Sequence, residues 1–142
     1  MPLGATVNIF PNANMSTTRT LPVATATVAD LDAVFKAFAD STRLRLLNVL
    51  AAGELCVCDL VELLDLAQPS VSRHLAVLRR EGLVDAARDG RFMHYRLAAP
   101  VHDVHRSLIG CVRSCFAGVP LLDKERARAI ARVRERAADP CA

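Results

Sequence analysis

Gln68-Pro69-Ser70-Val71-Ser72-Arg73-His74-Leu75, running on through Leu78-Arg79-Arg80-Glu81-Gly82-Leu83-Val84, is the stretch that decides how this chain folds. Pro69 stands where a helix begins and needs no N–H, and Gly82 stands just past its end. The spacing predicts a helix over 68–81. Before it, residues 57–64 predict a shorter helix buried through Leu60, Leu63 and Leu64, and Asp65-Leu66-Ala67 makes the turn between them. Two short helices so joined, the second carrying Ser, Arg and His on its polar side, form the helix-turn-helix pattern.

Just upstream, Glu54-Leu55-Cys56-Val57-Cys58-Asp59-Leu60 sets two thiols one residue apart at the start of the shorter helix. Cys56 occupies the place of a Ser or Thr cap. A helix N-terminus offers unpaired N–H groups and partial positive charge, both of which stabilise thiolate. Thiolate is the form that binds As(III), Cd(II) or Pb(II), because soft ions select sulfur. Soft-metal chemistry therefore adjoins a DNA-reading element, an arrangement that suggests a switch.

Downstream, Leu83 to Arg88 and Arg91 to Leu97 are extended runs flanking Asp89-Gly90, a strong hairpin signal. Arg88 and Arg91 at its tip suit contact with a phosphate backbone. Upstream, Val28, Leu31, Val34, Phe35 and Phe38 predict one apolar helix face. A second helix is expected over 42–52, capped by Asp40 or Ser41, with Leu44, Leu47 and Leu50 inward and Arg43 and Arg45 outward. Gly53 ends it. Towards the C-terminus, Val101, Val104, Leu108, Ile109, Val112 and Phe116 form a helical stripe. Asp123 is read as the cap of a last, highly charged helix whose face is solvated and internally ion-paired. Residues 1–26 read as an arm and 138–142 as a loose tail, leaving one folded domain over 27–137. Met15 is an alternative start.

The bulk numbers agree with a single domain of 142 residues. Hydrophobic residues make up 52%, but aromatics only 4%, so the core must be Leu, Val and Ala, which favours helices. A net charge of +3 is modest, so any DNA affinity has to come from clustered Arg. The 5 cysteines are odd in number and no leader pattern precedes them, which points to free thiols in a reducing cytoplasm. No apolar run is long enough for a membrane span. Catalysis of the phosphatase-loop kind, Cys then five residues then Arg, is excluded: Cys56 meets Glu62 and Cys111 meets Ala117.

From about Phe35 to Leu97 the chain resembles the ArsR/SmtB family of metal-responsive winged-helix repressors. The likeness rests on Phe38-Ala39-Asp40-Ser41-Thr42-Arg43-Leu44-Arg45-Leu46-Leu47, on the cysteine stretch, and on the recognition-helix stretch, in that order. It implies a mainly α winged helix-turn-helix with a small β-hairpin, dimerising through N- and C-terminal helices. It also implies a homodimer that occupies an inverted-repeat operator and leaves it when metal binds. DNA contacts then fall to Gln68, Ser70, Ser72, Arg73, His74, Arg88 and Arg91. The Cys-Val-Cys run resembles the arsenic-, cadmium- and lead-sensing branch, with As(III) the first expectation and Cd(II), Pb(II) or Zn(II) the alternatives.

Two departures matter. Arsenic-sensing members carry a third cysteine where Val61 stands here. The zinc positions on the dimerisation helix fall at Ala99, Val101, Val112 and Cys115, out of register with His102, Asp103 and His105. Further sulfur can come from Cys111 and Cys115, four apart and so on one helix face. They can join Cys56 and Cys58 or form a site of their own, and Cys141 is read as incidental. An oxidant or reactive-sulfur sensor of the same fold remains the second reading. Cys111 and Cys115 are then the reactive pair, because Cys56 and Cys58 are too close in sequence for an easy disulfide.

Overall fold

In the computed structural model, which describes residues 26–100 and 102–138, the helix-turn-helix forms where the sequence placed it. Helix α3 (Val57–Leu64) buries Leu60, Leu63 and Leu64. It stops at Asp65, whose φ of 52° is a left-handed turn that Asp tolerates better than most residues. Helix α4 (Gln68–Arg80) follows, with Pro in its first turn and Val71, Leu75 and Leu78 turned inward. Its end is a Schellman motif. Leu83 N–H donates to Leu78 O and Gly82 N–H to Arg79 O, a geometry open to Gly82 at φ 74°.

Helix α2 (Ser41–Leu50) is the floor beneath this pair, and Asp40 caps it by accepting from Arg43 N–H. Leu46, Leu47, Asn48, Val49 and Leu50 are all buried, each large apolar side chain contributing about 1.5–3 kcal/mol. The expectation for this helix needs correction in three places. It starts at Ser41 and stops short of Ala52, Leu44 is only half-buried, and Arg43 and Arg45 do not point into solvent. Arg43 donates to Lys36 O and Ala37 O, closing the end of α1 (Val28–Phe38). Arg45 spans to Glu125 and to Leu64 O at the helix-turn-helix corner.

The wing consists of β2 (Val84–Asp89) and β3 (Phe92–Leu97), antiparallel, in the register Asp89↔Phe92. The loop is therefore Gly90-Arg91, one residue later than the Asp89-Gly90 expected. Positive φ at the first loop position alone is the II′ pattern, which Gly90 at 61° supplies. A strand the sequence did not reveal, β1 (Leu55–Cys56), pairs with β3 through Leu55↔Tyr95 and Cys56↔His94, giving the order β1-β3-β2.

The two apolar stripes are only partly consumed. On α1, Val34 and Ala37 are buried, but Val28 is 83% and Phe35 54% exposed. On α5 (Asp103–Cys115), Ile109 and Val112 enter the core, while Val104 and Leu108 are half-exposed beside the exposed Cys111 and Cys115. Helix α6 (Pro120–Ala138) starts at Pro120, not at Asp123, whose carboxylate instead accepts from Gly118 N–H. Nor is its face simply solvated. Glu125 and Ala129 are buried, and with Arg132 and Arg136 they follow a spacing of 4, 3 and 4 residues that makes one stripe against α2 and α3. The expected arm up to residue 25, Val101 and Cys141 lie outside the described residues. Among those described, no helix is long and apolar enough to cross a membrane.

Candidate functional site

Cys56 ends β1 and caps α3 in one step. Its backbone is extended (φ −82°, ψ 162°), and its sulfur accepts from Asp59 N–H at 3.4 Å while Asp59 Oδ2 accepts from Cys56 N–H at 3.2 Å. This is a capping box with sulfur in the hydroxyl's place. Cys58 is already helical. The chain thus turns a corner at Val57, the two Cα atoms stand 5.4 Å apart, and the structure joins the sulfurs as a disulfide. That corrects the expectation that one intervening residue keeps them apart, since the spacing is within the ordinary disulfide range. Cys56 is buried and Cys58 exposed, so the pair is reached from one side.

Asp59, 1% exposed, organises the pair from beneath. Its Oδ1 accepts from Arg132 Nη1 and from Arg136 Nη2, each at 2.8 Å. Burial pushes its carboxyl up, but hydrogen bonds from Arg136, Arg132 and the Cys56 N–H outweigh it and hold Asp59 below the ordinary carboxylate range. Arg136 Nη2 also lies 3.3 Å from Cys56 Sγ and 4.0 Å from Cys58 Sγ. Arg132 is further paired with Glu62 and Glu135.

Ligand atoms of Cys56, Cys58 and Asp59 lie within 4.8 Å of one another, the one such group of three found among the described residues. Two sulfurs and a carboxylate whose other oxygen holds two guanidiniums suit a thiophilic ion better than a hard one. Asp59, Arg132 and Arg136 were missed from sequence. The spacing Cys56-x-x-Asp59 matches a capping box and could have flagged the carboxylate, whereas nothing local marks two arginines more than 70 residues downstream.

Cys111 and Cys115 are exposed on α5 and outside this group. The neighbouring Cys115 pushes the Cys111 thiol up, while the Ser114 hydroxyl and then Cys111 bring Cys115 down. No histidine joins the Cys56, Cys58 and Asp59 group among the described residues. His94 pairs with Glu54 on the sheet, and His102 caps α5 by accepting from His105 N–H.

On the other side of the helix-turn-helix, Gln68, Ser72 and Arg73 are exposed on α4 and Ser70 is half-buried. His74 is turned inward, its Nδ1 3.4 Å from Arg43 Nη1 and 3.6 Å from Asp40 Oδ1. It braces α4 against the start of α2. Arg88 and Arg91 are exposed at the wing tip. Between helix and wing lies an open groove of about 410 Å³, lined among others by Ser72, Ala76, Arg79 and Tyr95. It adds Arg79 to the residues expected on this face.

These elements define a winged helix-turn-helix whose first helix is capped by a cysteine pair. Residues 40–86 match the model of the bacterial regulatory protein arsR family, and the chain belongs to that family. It is 52% identical over 66 residues to an arsenical resistance operon repressor of Escherichia coli, covering 46% of this chain and 56% of the relative. It is 38% identical over 74 residues to an arsenical resistance operon repressor of Staphylococcus aureus, covering 52% of this chain and 71% of the relative. Among solved structures, a homodimeric winged helix-turn-helix DNA-binding domain from Mycobacterium bovis superposes with a TM-score of 0.54 at 30% identity, over 62% of this chain and 79% of that one. The matched part thus spans little more than half the length of the Escherichia coli relative.

Proposed function

We propose that this protein is a transcriptional repressor that binds operator DNA as a homodimer and leaves it when As(III) bridges Cys56 and Cys58. The observation that carries the reading is the placement of the thiol pair at the cap of α3, the helix that turns directly into α4. The names of its relatives as arsenical resistance repressors favour arsenite. Cd(II), Pb(II) and Zn(II) are disfavoured because, among the described residues, the third ligand beside the two sulfurs is Asp59, whose carboxylate two guanidiniums hold.

On DNA, α4 enters the major groove and presents Gln68, Ser72 and Arg73 to base edges, while Arg88 and Arg91 meet the backbone. The exposed Val28 and Phe35 of α1 and the half-exposed Val104 and Leu108 of α5 supply the apolar surface for the second subunit. Effector binding replaces the sulfur's role in the cap, so Asp59 N–H loses a partner and the start of α3 shifts. Leu60, Leu63 and Leu64 carry that shift to α4. A coupling of about 1–3 kcal/mol, roughly 5–150-fold in operator affinity, is the usual size of such linkage.

The disulfide supports a second reading, an oxidant-responsive repressor, now centred on Cys56 and Cys58 and not on Cys111 and Cys115. Fluorescence anisotropy of the reduced protein on its own promoter DNA, titrated with arsenite and then with peroxide, separates the two. Cys56→Ser with Cys58→Ser is expected to bind the operator normally and to remain bound at micromolar arsenite. Release of that double variant at the wild-type arsenite concentration refutes the thiol-gated reading.

A further inference from the structure

We infer that Arg136 completes the arsenite site by donating a hydrogen bond to the oxygen left on arsenic after Cys56 and Cys58 have bound. The inference rests on the thiol-gated reading and concerns what selects arsenite there. Trivalent arsenic takes three ligands. Two thiols react with As(OH)3 so that two As–S bonds form, two As–O bonds break, and two waters leave with the thiol protons. No electrons are transferred, and one hydroxyl remains on arsenic.

The chain offers no third sulfur for that position among the described residues. Val61 stands one turn further along α3, and Cys111 and Cys115 lie outside the group. Asp59 is close enough but committed, Oδ1 to Arg132 and Arg136 and Oδ2 to the Cys56 N–H. What the structure does place over both sulfurs is a guanidinium. Arg136 Nη2 is 3.3 Å from one and 4.0 Å from the other, and its bond of 2.8 Å to a buried carboxylate fixes it there. Sulfur is a weak acceptor. An oxygen on an atom bonded to both sulfurs is a stronger one within the same reach.

The same arrangement resists divalent cations. With neutral sulfurs, the carboxylates of Asp59, Glu62 and Glu135 are already engaged by Arg132 and Arg136. A cation that recruits Asp59 must displace the Cys56 N–H from Oδ2 and compete with both arginines for the carboxylate's charge. Arsenite makes no such demand, since it brings its own third ligand. Arg136 is thus a specificity-determining residue of α6, not only a clamp between helices.

The test compares two arsenicals on the full-length reduced protein by calorimetric titration. Phenylarsine oxide also binds two thiols, but its third ligand is carbon and leaves nothing for Arg136 to bind. Arg136→Ala is expected to weaken arsenite by about tenfold or more, the worth of one charge-assisted hydrogen bond, and to change phenylarsine oxide by less than about twofold. Arg136→Lys should recover part of the arsenite affinity. Equal losses for both arsenicals, or none for either, overturn the inference. Retained phenylarsine oxide binding also shows that the variant is folded. X-ray absorption at the arsenic edge of the wild type adds an independent readout: two sulfurs and one oxygen are expected, and three sulfurs overturn it. With Cys111 and Cys115 replaced by Ser in every protein compared, Cys56→Ser with Cys58→Ser must abolish binding of both arsenicals. If it does not, the thiol-gated reading itself fails, whatever Arg136 does.

Discussion

Replacing Arg45 by Met should be the most damaging single change outside the apolar core. The Arg45 guanidinium is bonded to both carboxylate oxygens of Glu125, whose side chain is 3% exposed, and its Nη2 donates to Leu64 O at 2.8 Å. The substitution strands a buried charge and uncaps the end of α3 at once. Breaking a buried ion pair from one side costs about 3–5 kcal/mol. Arg45 itself is 21% exposed, so some water reaches the site and the lower end applies. With a urea m-value of about 1–3 kcal/mol/M, a loss of about 3 kcal/mol moves the midpoint down by roughly 1–3 M. The assay is urea unfolding under reducing conditions, at one fixed protein concentration because a dimer's stability depends on it. Adding Glu125→Gln to Arg45→Met removes the stranded charge, so the double variant should be more stable than the single one. A single variant that loses less than about 1 kcal/mol, or a double variant that loses more than the single, refutes the reasoning.

Three further outcomes follow from particular contacts. Burial, and then the neighbouring His102, lower the His105 pKa to about 4, with Glu81 opposing. An unfolded His takes up its proton near pH 6.5, so between there and about pH 4 the unfolded chain holds more protons and stability falls as pH drops, by about 3 kcal/mol at most. His105→Leu should remove that slope, and a wild-type minus variant difference that stays flat from pH 7 to 4 contradicts the assignment. Gly53 has φ 147°, and a Cβ there would meet Val133 Cγ1 at 3.0 Å. Gly53→Ala should therefore destabilise by about 1–3 kcal/mol. Adding Val133→Ala should recover only the contact part, as thermal unfolding will show. On DNA, Arg73→Ala should cost about 1–3 kcal/mol per half-site and relax base preference, whereas Arg88→Ala with Arg91→Ala, present in both subunits, should flatten the salt dependence by about 4 in slope without altering preference. The reverse pattern in anisotropy titrations over a salt series would exchange their roles.

The helix-turn-helix and wing were legible because their signals are local. Pro69, Gly82 and Gly90 punctuate the chain at positions backbone geometry demands, and the buried leucines of α3 and α4 keep helical spacing. What stayed hidden depends on distant partners. Strand β1 is two residues long and shows no period of its own; it exists because β3 passes beside it. Arg43 and Arg45 read as solvent-facing because they are charged, yet each has carbonyls or a carboxylate waiting on another helix. The candidate site divides along the same line. Cys56 and Cys58 were visible from soft-metal chemistry at a helix cap. Asp59 was half visible through its cap spacing, and Arg132 and Arg136 were invisible, because an arginine in a charged helix looks the same whether it is solvated or docked.

Those hidden contacts determine how the proposed switch can work. Helix α3 has 8 residues, so it is about 12 Å long, and α6 is tied to it at both ends. Arg45 and Glu125 hold its last turn, and Arg132 and Arg136 hold its first through Asp59. A helix pinned only at its cap could absorb a chemical change at Cys56 by fraying, and α4 would feel nothing. Pinned twice, it cannot fray without breaking the charge-assisted bonds of Asp59. Such a bond is worth about 1.5–3 kcal/mol, comparable to the roughly 1–3 kcal/mol that an allosteric coupling has to supply. Moving α3 together with the α6 side chains that hold it keeps those bonds and is therefore the cheaper response to a change at the thiols. That is the response α4 can feel.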